Sequence, residues 1–228
     1  MTIETHPLDN PVWHSLDTRH RGHALGGGLA RRYPAETAPF AAIPAPGAGA
    51  EADLLALLEP GERVVMVGVT AGLGPELTLQ KEFVAYQYLW PEHEVEGSDV
   101  GVVPLSEGDI PKMLELTGLV YPAYFRPATA RLGTYFGVFE EGHLCAMGGT
   151  RMNLDGYQEL SAICTPPDHR GRGLAARISR RLLRHIRSEG DRAFLHTESD
   201  NLAAQSLYEK LGFELRARIP IRLLQREA

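Results

Sequence analysis

Apolar positions recur along this chain with two different periods, which together predict an α/β protein. In residues 174–186 apolar side chains return at steps of four, which predicts an amphipathic helix with arginines on its other faces. Residues 201–211 carry the i, i+3, i+4, i+7 pattern of a second helix, with Asp200 or Asn201 as its cap and Gly212 as its end. The apolar runs ELSAICT and AFLHTES, which precede these two helices, predict strands.

The segment that begins at residue 100 starts with the same alternation of elements. The run VGVVPL predicts a strand, and residues 106–119 predict a helix capped by Ser106 or Asp109. Two apolar runs joined at Glu141 and Gly142 predict a β-hairpin.

The first part of the chain is less regular. Residues 41–52 are rich in Pro, Gly and Ala, which predicts a loop or a short linker. The run EADLLALLEPG predicts a short helix, RVVMVGV predicts a buried strand, and ELTLQKEFVAYQYLW fits either a strand or a helix. Residues 91–99 are acidic and lack apolar periodicity. They predict a boundary between an N-terminal α/β module of unknown role, residues 1–97, and a second domain, residues 98–228.

Composition and charge narrow the class of protein. The chain has 228 residues and two cysteines, Cys145 and Cys164, both inside apolar runs, which argues against a disulfide framework or a metal site. No signal peptide or membrane span is evident, so we expect a cytoplasmic protein that does not bind membranes. Residues 1–97 hold 6 basic and 13 acidic residues, and the remainder holds 17 and 16. Neither part of the chain is strongly basic, so we expect no nucleic-acid partner.

Two glycines among arginines mark the candidate chemistry. Gly171 and Gly173 stand between a predicted strand and a predicted helix, where free backbone amides and the helix dipole favour an anion. Arg170 and Arg172 can add charge-assisted hydrogen bonds, so this stretch predicts a pyrophosphate cradle. The arginines farther along the helix are expected to form a solvated face: Arg177, Arg180, Arg181, Arg184 and Arg187.

Two cofactor classes use such a cradle. GRGLAA fits the G-x-G-x-x-G/A fingerprint of dinucleotide-binding folds, and Glu198 follows the next strand, where a ribose-binding acid belongs. A dinucleotide fold, however, needs further βα units after Glu198, and few residues remain. A nicotinamide-dependent oxidoreductase stays as a rival hypothesis.

The sequence around the cradle resembles the GNAT superfamily of N-acetyltransferases over residues 100–228. Residues 170–175, RGRGLA, fit the superfamily motif Q/R-x-x-G-x-G/A, and NLAAQSLYEKLGFE resembles its second signature, N-x-x-A-x-x-L-Y-x-x-x-G-F. The stretch ELSAICTPPDHRGRGLA is most similar to the branch that includes the C-terminal domain of glycine N-acyltransferases. Residues 1–97 permit a degenerate second GNAT-like half.

The resemblance implies a mixed, splayed central sheet flanked by helices, with acetyl-CoA as cosubstrate. It implies that the backbone of residues 163–165 binds the pantetheine arm and that Tyr208 gives a proton to the leaving thiolate. Glu159, which lies 11 residues before Arg170, is then the expected general base, with a pKa raised by partial burial. The residues expected to bind the cofactor are Ile163, Cys164, Thr165, Arg170, Gly171, Arg172, Gly173, Leu174, Ala175, Asn201 and Tyr208.

These expectations together describe an acyl-CoA-dependent N-acyltransferase. It would transfer acetyl from acetyl-CoA directly to a primary amine of a small molecule or an amino acid. A catalytically silent CoA-binding module is the second rival hypothesis. We expect the N-terminal half to cover one side of the acceptor pocket, where its negative charge could favour cationic acceptors or merely aid solubility.

Overall fold

The computed structural model describes residues 6–72, 74–120 and 125–228 of the chain. The helices in these residues are Pro11–Asp17 (α1), Ala48–Ala56 (α2), Ile110–Val120 (α3), Leu174–Ser188 (α4) and Leu202–Lys210 (α5). The strands are Arg31–Arg32 (β1), Ala41–Ala42 (β2), Arg63–Val67 (β3), Leu77–Leu89 (β4), Val103–Pro104 (β5), Tyr135–Glu140 (β6), His143–Leu154 (β7), Tyr157–Cys164 (β8), Arg192–Glu198 (β9) and Glu214–Arg226 (β10).

One eight-stranded sheet, in the order β3-β10-β4-β9-β8-β7-β6-β5, organises the molecule, beside a small sheet of β1 and β2. Within the large sheet β8 and β9 are parallel, and the other neighbouring strands are antiparallel. Strand β4 comes from the N-terminal part of the chain and lies between β9 and β10. Residues 1–97 and residues 98–228 therefore both contribute strands to the same sheet.

The two faces of this sheet are covered by different parts of the chain. Helices α4 and α5 cover one face, where Leu160 and Leu195 share a core with Ile178. Helix α1 covers part of the other face, where Val12 packs in one core with Phe194, and α3 packs beside it on β7 and β8. Of the helices that the structure describes, none combines the length and the apolar composition that a membrane crossing needs.

Most of the C-terminal elements predicted from periodicity are confirmed. Helices α4 and α5 and strand β9 form as predicted, and Asn201 caps α5 by accepting a hydrogen bond from the amide of Ala204 at 3.1 Å. The ambiguous segment 77–89 is a strand. The prediction of a loop for residues 41–52 is wrong in part, because this segment contains β2 and the first turns of α2. Its alanines are compatible with a strand and with a helix. Helix α1 and strand β10 were not predicted.

The arginines of α4 are not a solvated face, and this prediction is wrong. They hold residues 93–100, which we call the strap, against the helix. Arg180 Nε donates to the carbonyl of Glu96 at 2.9 Å, and Arg184 binds the carbonyl of Val95 and the carboxylate of Asp99, each at 2.9 Å. Arg177 and Arg187 donate to further strap carbonyls, and Arg181 lies over the ring of Phe136. The acidic segment without periodicity is therefore anchored by backbone carbonyls that the sequence pattern does not reveal.

Candidate active site

The parallel pair β8 and β9 separates halfway along its length. Their register runs from the pair of Tyr157 with Arg192 to the pair of Leu160 with Leu195 and ends there. Beyond this point β9 continues to pair with β4, whereas β8 bends away at a bulge in which Ala162 has φ 53°. A positive φ in a residue with a Cβ is uncommon and often marks a functional position. The splayed sheet expected from the family resemblance is thus confirmed.

The cradle, residues 170–176, joins the end of β8 to α4. Gly171 and Gly173 have φ of 75° and 72°, in the left-handed region, and a Cβ at either position would meet nothing within 4 Å. Glycine is therefore favoured here by backbone conformation rather than by crowding. Gly173 is the N-cap residue of α4, and no side chain caps the first amides of that helix. Such a helix start suits an anion.

The two cradle arginines have different partners. Arg170 is exposed, and its Nε donates to the carbonyl of Thr165 at 3.2 Å. Arg172 binds both carboxylate oxygens of Glu140 on β6, at 2.8 and 2.5 Å. Arg170 is thus the arginine whose charge is not already matched by a carboxylate in this loop.

The remaining residues of the cradle side have mixed surroundings. Cys164 is buried in the core beneath α3, and burial raises the pKa of its thiol to about 12. Ile163 lines a cavity, and the Thr165 hydroxyl is buried without a hydrogen-bond partner among the described residues. Leu174 is a core residue of α4, and the carbonyl of Ala175 accepts a hydrogen bond within that helix. The buried residues among these could therefore contact a cofactor only through their backbone atoms.

A cavity of about 270 Å³ lies where β8 and β9 diverge. It is lined from both faces of the sheet. On the side of α5 the lining includes Ile163, Asn201, Ala204 and Tyr208. On the other side it includes side chains of the N-terminal half and of β10: Phe40, Val65, Val67, Phe83 and Ile221. Side chains of the N-terminal half therefore line one side of this cavity, and that the cavity receives the acceptor stays a prediction.

Tyr208 lies in α5 with one side in the core and another at the cavity. It is 8% exposed, and its ring meets the ring of Phe213 edge-on, with 5.7 Å between centroids. It also belongs to the cavity lining. Packing and a role at the cavity are therefore compatible, and they can be separated only by removing the hydroxyl.

Glu159 is fully buried in β8 and ion-paired. Both of its oxygens accept hydrogen bonds from Arg151, at 3.0 Å each, and Oε1 also accepts one from Nδ1 of His196 at 2.9 Å. Burial by itself raises the pKa of the carboxyl, but the positive charge of Arg151 and the bond from His196 outweigh it and lower the pKa to about 2. The expectation of a raised pKa is wrong, because the local sequence around Glu159 does not reveal that Arg151 lies opposite this carboxylate.

A row of hydrogen-bonded polar side chains crosses the sheet at the level of Glu159. Arg151 on β7, Glu159 on β8, His196 on β9, Gln87 on β4 and Arg216 on β10 are joined in that order. An extra residue in β7 places Arg151 opposite Glu159, and Gln87 pairs directly with His196 across the strands. This polar row connects the C-terminal strands to the inserted β4.

The polar row fixes the protonation of His196. The Gln87 Oε1 accepts from Arg216 at 2.6 Å, while its Nε2 donates to the carbonyl of Leu8 at 2.8 Å. The same Nε2 lies 2.9 Å from Nε2 of His196, which must therefore be the acceptor. Nδ1 then carries the proton and donates it to Glu159. This tautomer satisfies every hydrogen-bond partner of the ring.

Glu140, Cys145 and His169 form a group of potential metal ligands near the cradle. Their ligand atoms lie within 4.8 Å of one another in the part of the chain that the structure describes. Arg172 already binds both oxygens of Glu140, and its positive charge opposes a cation. We assign no metal to this group.

Sequence reasoning missed Arg151, His196 and Gln87. All three are long polar residues inside strands that are otherwise rich in apolar residues. Polar side chains that are fully buried are uncommon unless they are paired, so this pattern was a usable signal. Which partner each one has depends on strand order, which the local sequence does not contain.

Comparison with known proteins shows the family. A family model described as FR47-like protein matches residues 135–220. A solved structure from Novosphingobium aromaticivorans, assigned to the GNAT family of acetyltransferases, has a TM-score of 0.90 and 34% sequence identity. The match covers 98% of this chain and 100% of that chain. It includes the N-terminal half, for which the sequence alone suggested no relative.

Curated relatives agree with this result. Mycothiol acetyltransferase of Mycolicibacterium gilvum is 29% identical over an alignment of 230 residues. The alignment covers 92% of this chain and 71% of the relative. YobR of Bacillus subtilis, an uncharacterized N-acetyltransferase, is 38% identical over 81 residues, and the match spans only 32% of its length. The narrower likeness to glycine N-acyltransferases stays a prediction. With a full-length structural relative at 34% identity and a matching family model, the chain belongs to the GNAT family of N-acetyltransferases.

Proposed function

We propose that this protein transfers the acetyl group of acetyl-CoA to the primary amine of a small molecule in the cytoplasm. The observation that carries the proposal is the divergence of β8 from β9 after Leu160, directly before the cradle. The strand edge left unpaired, at residues 161–163, lines the cavity, and the uncapped N-terminus of α4 follows it along the chain. This arrangement suits a ligand in which a long arm joins a pyrophosphate to an acyl group.

The chain's backbone would do most of the cosubstrate binding. The free edge of residues 163–165 can hydrogen-bond the amides of a pantetheine arm, and the amides of residues 171–176 can bind pyrophosphate. Arg170 can add a charge-assisted hydrogen bond because its guanidinium is exposed beside the cradle. Asn201 supports this region indirectly, as the cap that fixes the start of α5.

The reaction needs a neutral amine, an acyl carbon held at the cavity and a proton for the departing thiolate. The amine nitrogen forms a bond to the carbonyl carbon and gives up one proton to solvent, the C–S bond breaks, and the sulfur takes up a proton, so that an amide and a thiol are formed. Tyr208 lines the cavity from α5, so its hydroxyl is our candidate donor of that proton. Glu159, with a pKa of about 2 and both oxygens occupied, is a weak base, so we assign it the role of holding Arg151 and His196.

The strand arrangement speaks against the oxidoreductase hypothesis. Dinucleotide-binding folds place the glycine fingerprint in an extended parallel sheet. Here β8 and β9 form a parallel pair between antiparallel neighbours. A measurement of activity is needed to distinguish the enzyme from the second alternative, a catalytically silent CoA-binding module.

Turnover and binding test the proposal together. We expect acetyl-CoA to raise the melting temperature and NAD to leave it unchanged, because the cradle follows a splayed strand pair rather than a strand of a dinucleotide fold. With a panel of small primary amines, release of the CoA thiol should exceed the rate of acetyl-CoA hydrolysis. A protein that binds acetyl-CoA but releases no thiol with any amine would be a silent module. Stabilisation by NAD alone would contradict the proposal.

The Tyr208 hydroxyl can be tested without disturbing the core. We expect Tyr208→Phe to lower kcat by roughly 10²- to 10⁴-fold, the range for loss of a general acid, because the ring and its contact with Phe213 remain. The Kd for acetyl-CoA should stay nearly unchanged, because the proton is needed only as the C–S bond breaks. The matched control is Tyr157→Phe, whose hydroxyl lies 3.4 Å from His6 and outside the cavity lining. If Tyr208→Phe kept the same kcat as Tyr157→Phe, Tyr208 would have a packing role and would not be the proton donor.

A further inference from the structure

The N-terminal half presents only apolar side chains to the cavity, as far as its lining is described. These are Phe40, Val65, Val67 and Phe83, and β10 adds Ile221 beside them. Residues 1–97 nevertheless hold 13 acidic and 6 basic residues. The negative charge of this half is therefore directed elsewhere, and the wall that it contributes favours an apolar group over a cationic one.

The charged groups of the cavity leave one carboxylate unmatched. Arg151 and Glu159 neutralise each other through two hydrogen bonds of 3.0 Å. Both ring nitrogens of His196 are already hydrogen-bonded, one to Gln87 and one to Glu159. Glu198, at the end of β9, is exposed and forms no ion pair with any residue that the structure describes. The described lining thus offers a site for one positive charge and none for a free carboxylate.

A buried hydroxyl at the same cavity also lacks a partner. Tyr135 is 3% exposed and lines the cavity, and its Oη has no hydrogen-bond partner among the described residues. A buried polar group without a partner destabilises the folded protein. A bound molecule that supplies a polar atom at this place would offset that destabilisation, which points to a ligand site.

Resting on the proposed function, we infer that the acceptor is a monoamine with an apolar body. Its ammonium group lies at Glu198, which is exposed, and loses its proton to solvent there. Its apolar body packs against the wall of Phe40, Val65, Val67 and Phe83. Tyr135 supplies one hydrogen bond to the bound molecules. Glu198 and the apolar wall are then the features that select the acceptor.

The same features argue against two other acceptor classes. A free amino acid would bring a carboxylate toward the carboxylates of Glu198 and Glu159. The arginine in the described lining, Arg151, is already paired with Glu159 and could not balance this charge. A polyamine would place a second ammonium against the apolar wall, where desolvation of a charge is unfavourable. Both classes should therefore react more slowly than an amine of similar size with an uncharged body.

Three commercially available amines test the inference on the full-length wild-type protein. The probes are 2-phenylethylamine, L-phenylalanine, which adds a carboxylate to the same body, and spermidine, which adds further ammonium groups. With saturating acetyl-CoA, kcat/KM from thiol release should be at least about tenfold higher for 2-phenylethylamine than for either other probe. A value for phenylalanine or spermidine that equals or exceeds it would overturn the inference, while the proposed acetyltransferase function would stand. Thiol release with none of the three would also overturn the inference, whereas failure to bind acetyl-CoA would count separately against the proposed function.

Two variants locate the effect in the residues named. Phe83→Ala should raise KM for 2-phenylethylamine by about tenfold with kcat nearly unchanged, because it removes apolar contact. The control Phe139→Ala changes a half-buried phenylalanine outside the cavity lining and should leave this KM as it is. Glu198→Gln should raise the same KM by a similar factor. Unchanged KM in both Phe83→Ala and Glu198→Gln would show that the acceptor binds elsewhere.

Discussion

Replacing Gly173 by valine should weaken acetyl-CoA binding by about 10- to 100-fold. Gly173 has φ 72°, a conformation that a β-branched residue adopts only with strain, so the backbone amides at the start of α4 would turn. Losing one or two hydrogen bonds to a charged group accounts for a change of this size. Isothermal titration of the variant with acetyl-CoA measures the change directly.

The matched control for this variant lies at the other end of the same helix. Gly190 has φ 78°, and a Cβ there, as at Gly173, would meet nothing within 4 Å. Gly190→Val should therefore cause a similar loss of stability, about 1–3 kcal/mol, but leave the Kd for acetyl-CoA within about twofold. If Gly173→Val bound acetyl-CoA as tightly as Gly190→Val, the cradle would not be the pyrophosphate site.

Replacing Arg151 by methionine should lower the free energy of unfolding by about 3–5 kcal/mol, because Glu159 would be left as a buried charge without its partner. The exposed pair of Arg21 and Asp17 provides the control, since Arg21→Met should cost at most about 1 kcal/mol. The double variant Arg151→Met, Glu159→Gln removes both charges and should be more stable than Arg151→Met alone. Urea unfolding of the three variants measures these differences, and a double variant no more stable than Arg151→Met would contradict the pairing.

The same pair predicts how acid acts on the protein. The pKa of Glu159 is about 2 in the folded chain, against an ordinary value of 4.5. Its contribution, about 3 kcal/mol, is therefore complete above pH 4.5 and is lost as the pH falls toward 2. In the Glu159→Gln variant this part of the pH dependence of unfolding should be absent. Equal pH dependence in the variant and the wild type would mean that Glu159 is not held as a low-pKa carboxylate.

The elements that the sequence predicted well are those with local signals. The fourfold spacing of α4, the cap at Asn201 and the glycines of the cradle are all contained within a few neighbouring residues. Strand β10 also carries a local signal, because Leu215, Ala217 and Ile219 alternate with polar residues. The resemblance of two motifs to one family then gave the fold of the C-terminal half.

The features that could not be predicted depend on contacts between distant parts of the chain. The position of β4 beside β9 places Gln87 against His196, and neither residue has a local pattern that names the other. The pKa of Glu159 was predicted in the wrong direction for the same reason, since Arg151 reaches it through a bulge in β7. The strap is a third example, because the arginines of α4 bind it mostly through backbone carbonyls, with Asp99 as the side-chain partner of Arg184.

A crystal structure of the complex with acetyl-CoA would test the central claim most directly. The account predicts pyrophosphate oxygens about 2.7–3.2 Å from backbone nitrogens of residues 171–176. It also predicts a pantetheine arm along residues 163–165 and the acetyl group in the cavity beside Tyr208. Acetyl-CoA bound away from the cradle, with the space between β8 and β9 left empty, would contradict it.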